Sequence, residues 1–365
     1  MSKYPPIYYA DYLQLETLLN CQKTKSSDYG TEAHDELLFI IVHQAYELWF
    51  KQILHEIDSI NHIFTKDSVD ERSIGVAVAR LHRITEIERL LIEQLRVLET
   101  MTPLDFLDFR DYLIPASGFQ SFQFRLIENK LGLNDKKRIK YNNAEYLNTL
   151  EDLHKKLVIE TIKNPSTFEL VQSWLERTPF LHYGNFDFWS KYKEAVERML
   201  KKDRKILLNN KTLSESKLEM QLKQLESTKE NFDALFDIGK HNELVEKGER
   251  NFSNKATLAA LFINLYRDEP ILHMPFMFLN TLIEIDEMFT EWRYRHALMV
   301  HRMIGAKIGT GGSSGTHYLM STVDKHRIFT DLFNLSTYLI PRSELPQLPE
   351  ELIQQLSFNF NLNEK

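Results

Sequence analysis

A chain of 365 residues, 43% hydrophobic and 12% aromatic, has ample material for a buried core and room for one large domain or two. Its net charge of −7, with no basic stripe interleaved with aromatics, argues against nucleic acid as a partner. The single cysteine, Cys21, excludes disulfide frameworks, cysteine-held zinc and iron–sulfur clusters, and a reducing, cytoplasmic setting is expected.

With 12 Gly and 11 Pro among long segments of helical period, the fold is expected to be all-α. The opening MSKYPPIYYADYL lacks the apolar core of a signal peptide. The longest apolar runs, such as Leu37 to Val42, are too short to span a membrane. Residues 1–30 read as an arm in which Pro5 and Pro6 precede a short helix, with Tyr9, Tyr12 and Leu13 on one side. An aromatic arm of this kind needs a surface to cover. From Thr31 a helix of more than 25 residues is expected, apolar nearly all round and therefore buried. Phe39, His43, Tyr46, Glu47 and Phe50 share one of its faces. His43 is accordingly either a core imidazole or a site residue.

Residues 72–101 form a further amphipathic helix whose alternating charges make a solvated face. In the stretch from Thr102 to Gly132, Pro103 opens a short helix that Pro115 closes, and Ser117 with Gln120 has the spacing of a capping box. Phe106 and Arg110 stand one turn apart on the first of these helices. Arg110 either pairs with Asp108 or Asp111, or its planar fork clamps a carboxylate. The helical pattern continues from 133 to 200. Glu151 and His154 have E-x-x-H spacing there, but a carboxylate-bridged di-iron bundle needs two such motifs and the chain has no second. Residues 200–255 turn charged and poor in aromatics, as expected of a peripheral helical insertion, and core character returns over 256–280.

The most informative stretch runs from Thr281 to Leu319. A helix is expected from Thr281, capped with the help of Glu284, to Gly305, which suits a left-handed C-terminal position. At roughly 100° per residue, Phe289, Trp292, His296, Val300 and Met303 fall close to one line, whereas His301 points about 140° away from His296. Two readings of His296 stand side by side: a core imidazole satisfied by a backbone carbonyl, or an axial ligand of haem, whose flat ring needs a wide apolar wall and one neutral imidazole nitrogen. The loop GTGGSSG, Gly309 to Gly315, offers backbone N–H groups and the hydroxyls of Thr310, Ser313 and Ser314. It suits closure over an anion or small ligand, or a flexible connection, but matches neither the phosphate-binding nor the dinucleotide-binding pattern. A last core helix is expected over STVDKHRIFTDLFNLSTYLIP, stopped by Pro341.

The segments HDELLFIIVHQAYELWFKQIL, PLDFLDFRDYLIPASGFQSFQFRLIE and RHALMVHRMIGAKIGTGGSSGTHYL, with DLFNLSTYLIPR, resemble the tryptophan 2,3-dioxygenases from the N-terminus to about residue 342. The resemblance implies an all-α helical bundle that binds haem b non-covalently, with residues 31–365 as the dioxygenase domain. It implies a homotetramer, a dimer of dimers, that uses O2 to cleave the indole C2–C3 bond of L-tryptophan. The product would be N-formyl-L-kynurenine, the first step of the kynurenine pathway. Carried over position by position, His296 matches the proximal iron ligand and His43 the distal histidine facing the indole N–H. Phe39 matches a wall of the substrate pocket, Arg110 the binder of the substrate carboxylate with Phe106 beside it, Thr310 the contact to the ammonium group, and Ser117 a distal-pocket serine. Tyr9, Tyr12 and Leu13 match an N-terminal element that enters the neighbouring subunit's site. Phe106 stands where some members carry tyrosine, and Thr316 is at a variable position.

Overall fold

A computed structural model describes residues 4–133, 138, 146–179, 181–184, 186–305, 307 and 315–358. The chain is all-α. Three short helices, α1 (Tyr9–Leu13), α2 (Leu15–Leu19) and α3 (Lys25–Asp28), lead into the long helices α4 (Glu36–Phe64) and α5 (Glu71–Leu98). They are followed by α6 (Pro103–Arg110), α7 (Phe122–Leu131), α8 (Asp152–Ile162) and α9 (Thr167–Leu175). A hairpin of two-residue strands, β1 (His182–Tyr183) and β2 (Phe186–Asp187), precedes α10 (Phe188–Asn209), α11 (Glu215–Phe236), α12 (Ile238–Glu246) and α13 (Asn254–Leu265). The longest helix, α14 (Pro270–Ile304), is succeeded by α15 (Gly315–Lys325), α16 (Thr330–Asn334) and α17 (Glu350–Leu356). No helix among the described residues is long and apolar enough to cross a membrane.

The chain divides into two compact units, and α4, α5 and α14 each contribute residues to both. The first unit comprises 1–56, 84–164 and 287–327. Within it the Tyr46 hydroxyl donates to the Leu91 carbonyl at 2.5 Å and Gln94 Nε2 to the Val42 carbonyl at 3.3 Å, which joins α4 to α5. Gln123 Nε2 donates to both the backbone and the carboxylate of Glu47, joining α7 to α4. Against α8, α7 packs through Asn129, which donates to Thr161 Oγ1, and through Phe122, stacked on His154 at 4.1 Å. His154 is thus spent on a ring contact, and Glu151 sits at the N-cap of α8.

The second unit comprises 57–83, 165–286 and 328–365. Its centre is α13, where the small Ala256, Ala259 and Ala260 are wholly buried beside Leu261 and Phe262. The charged stretch read as an insertion forms the end of α10, then α11 and α12, and it sends Phe232, Leu235 and His241 into this core. His241 Nε2 donates to the Phe252 carbonyl while Nδ1 accepts from Arg250, so the neutral ring is satisfied on both sides.

Three sequence expectations need correction. The helix placed from Thr281 begins at Pro270, and the Thr281 hydroxyl donates to the Met277 carbonyl one turn back instead of capping an end. Gly305, with φ of 58°, does end it. The single helix expected after the glycine loop is split into α15 and α16, because the buried Asp286 carboxylate accepts the backbone N–H groups of Ile328 and Phe329 and holds the chain in a break. Helix α4 is not buried all round: Leu37, Ile41 and Leu48, which fall along one line, are 45%, 47% and 55% exposed. One face lines a cavity and another packs on α5, which leaves this line without a partner among the described residues.

Candidate active site

A cavity of about 280 Å3 lies wholly within the first unit, between α4, α5, α6, α7, α14, α15 and the turn at 117–121. The 3.6-residue period explains its walls. On α4, the face bearing Phe39, His43, Tyr46, Glu47 and Phe50 turns inward; on α14, so does the face bearing Trp292, His296, Met299, Val300 and Met303. His301 does not line the cavity and is exposed.

His296 stacks on Trp292 one turn before it, with ring centroids 5.1 Å apart and planes at 12°. From Trp292 an aromatic wall continues through Phe124, Phe50 and Tyr46, each ring within 6.1 Å of the next. Burial, followed by the proximity of His43, pushes the His296 imidazole down to about 4. The ring is therefore neutral near pH 7, and it makes no hydrogen bond among the described residues. No carbonyl among the described residues holds it as a core imidazole would be held. A neutral imidazole that borders an apolar, aromatic cavity fits a haem-iron ligand, which must offer a nitrogen lone pair.

His43 is held differently. Its Nδ1 lies 2.7 Å from the Phe39 carbonyl, which can only accept, so Nδ1 carries the proton and Nε2 keeps a lone pair. The ring leans on Phe39 at 4.1 Å, and Phe39 in turn meets Phe106 at 5.7 Å and the fully buried Phe109 at 5.5 Å. The side chain is accessible because it borders the cavity, yet protein atoms crowd round it. Burial is the largest influence and lowers its pKa, against the opposing effects of the Phe39 bond and Glu47.

Arg110 ends α6, whose start is fixed by a capping box between Thr102 and Asp105 beside Pro103. Its guanidinium lines the cavity and reaches Asp111 Oδ1 only at 3.4 Å, longer than the 2.7–2.9 Å of a strong charge-assisted bond. Ser117 also lines the cavity, and with Gln120 it forms the capping box expected from its spacing: Ser117 Oγ accepts from Phe119 N, and Ser117 N donates to Gln120 Oε1. Thr310 lies outside the described residues. Tyr9, Tyr12 and Leu13 form α1 away from the cavity, 74%, 71% and 39% exposed.

Sequence reasoning missed one group in the cavity wall. The Glu128 carboxylate is 2% exposed and accepts from Arg125, Arg138, Arg293 and His326. Burial pushes its pKa up, but the guanidinium groups of Arg138 and Arg125, the His326 bond and Arg293 outweigh this and hold it well below the usual carboxylate range. The only signal in the sequence is Arg125 three residues before Glu128 inside an otherwise aromatic run.

Among proteins of known function, the tryptophan 2,3-dioxygenase family profile matches residues 2–339. The chain is 53% identical to the tryptophan 2,3-dioxygenase of Bdellovibrio bacteriovorus over 98% of its own length and all of that relative. It is 51% identical to that of Dictyostelium discoideum, covering 98% of this chain and 89% of the relative. Identity to the mouse enzyme is 48%, over 94% and 84%. A match of this extent, over a fold and cavity of this kind, establishes that the chain belongs to the tryptophan 2,3-dioxygenase family.

Proposed function

We propose that this chain is a haem b-dependent dioxygenase that cleaves the indole C2–C3 bond of L-tryptophan with O2 to give N-formyl-L-kynurenine, as the first step of tryptophan degradation. The observation that carries the reading is the pair of neutral histidines on separate helices bordering one cavity: His296 without a hydrogen bond among the described residues, His43 with Nδ1 committed and Nε2 free to accept. His296 would hold the haem iron, and Trp292, Met299, Val300 and Met303 supply the flat apolar surroundings that a porphyrin needs. When bound, haem supplies the redox chemistry that activates dioxygen.

The chain's own residues bind and orient. The Nε2 lone pair of His43 accepts the indole N–H, which fixes the edge of the ring bearing C2 and C3; no proton needs to leave, because indole C3 is already nucleophilic. The Phe39 and Phe106 rings wall the indole. Arg110 borders the cavity and takes the substrate carboxylate in two-point fashion, its planar fork matching the two oxygens. Thr310, on the family resemblance, would meet the ammonium group, and Ser117 borders the same cavity as His43. A substrate held at both charged ends and at the indole nitrogen is presented in one orientation, and this positioning is the protein's part of the catalysis. Phe106 offers no hydroxyl, so recognition of the indole here rests on shape and on His43.

The subunits would assemble as a homotetramer in the cytoplasm, with Tyr9, Tyr12 and Leu13 covering a neighbouring subunit's pocket. Supporting this are the exposed aromatic arm and the exposed line of Leu37, Ile41 and Leu48, apolar side chains that a neighbouring subunit would cover. The test is direct. Protein purified from haem-replete cells should be coloured, its ferrous spectrum should change on adding L-tryptophan, and with O2 the absorbance of N-formylkynurenine should grow. Coloured protein whose spectrum ignores tryptophan would indicate a haem carrier instead, and colourless protein would remove the cofactor.

A further inference from the structure

We propose that Glu128 is a positioning residue for His296, fixing the rotation of α14 about its own axis through Arg293 and thereby the direction in which the imidazole meets its ligand; this rests on the haem reading above. A helix bordering a cavity lacks packing partners on that side, so close packing alone leaves its rotation under-determined. Directional bonds from the cavity wall supply what packing does not. Glu128, on α7, accepts from Arg293 Nη2 at 3.1 Å and from His326 Nδ1 at 3.3 Å with Oε1, while Oε2 accepts from Arg125 at 2.9 Å and Arg138 at 2.7 Å. Arg293 precedes His296 by three residues, so the two are neighbours on one face of α14, and both line the cavity. His326, just after α15, brings the next helix to the same carboxylate. Arg293 is held further by the Phe124 and Phe289 rings, 5.9 and 5.7 Å from its guanidinium carbon. One buried carboxylate thus binds α7, α14 and the residue that follows α15 together, one helical turn from His296, the kind of arrangement by which outer groups orient a metal ligand.

The experiment uses the full chain with Glu128→Gln, which keeps the shape and removes the charge. Three quantities are read: the rate of haem release to an acceptor globin, the ferrous iron–histidine stretching band in resonance Raman, and the melting midpoint of the haem-free protein. Haem release is expected to quicken by about 10- to 100-fold, the scale of losses when an outer-shell partner is removed, with a shifted iron–histidine band. Glu128→Asp should recover part of both. A parental release rate and an unmoved band overturn the proposal whatever happens to the midpoint, because a merely structural ion pair would lower the midpoint alone. If the Gln variant does not fold, Arg293→Lys keeps the charge but loses the fork, and the same two haem readouts support or overturn the proposal. A parent chain that takes up no haem would instead overturn the underlying reading, and this inference with it.

Discussion

His296 and His301 lie on the same helix five residues apart, and side-chain direction alone separates an imidazole that faces the cavity from one in water. His296→Ala is accordingly expected to purify without haem and His301→Ala with a parental complement, and equal occupancy measured by the haem-to-protein absorbance ratio would remove the ligand assignment. Arg110 tests the other end of the substrate. Replacing it by alanine deletes a charge-assisted two-point contact worth about 1.5–3 kcal/mol, so the KM for L-tryptophan should rise roughly 10- to 100-fold with haem retained. Lysine should recover only part, since it carries the charge without the fork. A variant that fails to fold would mean that Arg110 is structural. These residues were legible because each sits at a helical period inside an aromatic face. The Glu128 group was not, since its partners Arg293 and His326 are 165 and 198 residues away, and no local pattern reports a pairing across that distance.

At the level of elements, composition and period announced the helices, and tertiary hydrogen bonds decided where several of them start and stop. Gly305 was legible as an end because a left-handed position there favours glycine. The break between α15 and α16 was not, because it depends on Asp286, which lies 42 residues before the Ile328 amide it accepts. That amide is 2.9 Å from Oδ1, and the Phe329 amide is 3.0 Å from Oδ2. Asp286→Ala strands two buried N–H groups, each costing about 1–3 kcal/mol, and should lower the melting midpoint by several degrees. Asp286→Asn keeps one acceptor and should lose less. Calorimetry of the two variants checks the order; an unchanged midpoint for the alanine variant would show that the break is held by packing instead.

For the molecule as a whole, the question is what the N-terminal arm covers. Its attachment is unequal along its length. Helix α3 is tied down: the buried Glu36 carboxylate accepts Lys25 N at 2.6 Å and Ser26 N at 2.9 Å, and Tyr29 stacks on Tyr112 at 4.9 Å. Helices α1 and α2 contain no buried residue, and Tyr8, Tyr9, Tyr12 and Leu19 are each more than two-thirds exposed. Such a segment stays disordered in water unless another surface takes it up. If that surface is a neighbouring subunit's pocket, deleting residues 1–13 should leave α3 anchored and haem bound while abolishing tryptophan turnover. Mixing this deletion protein with the Arg110→Ala variant, under conditions that let subunits exchange, should then restore activity in some sites, because the deletion subunit supplies an intact Arg110 and its neighbour supplies the arm. Exchange is verified independently with differently tagged subunits. No recovery despite proven exchange, or full activity of the truncated protein by itself, would take the arm out of the active site.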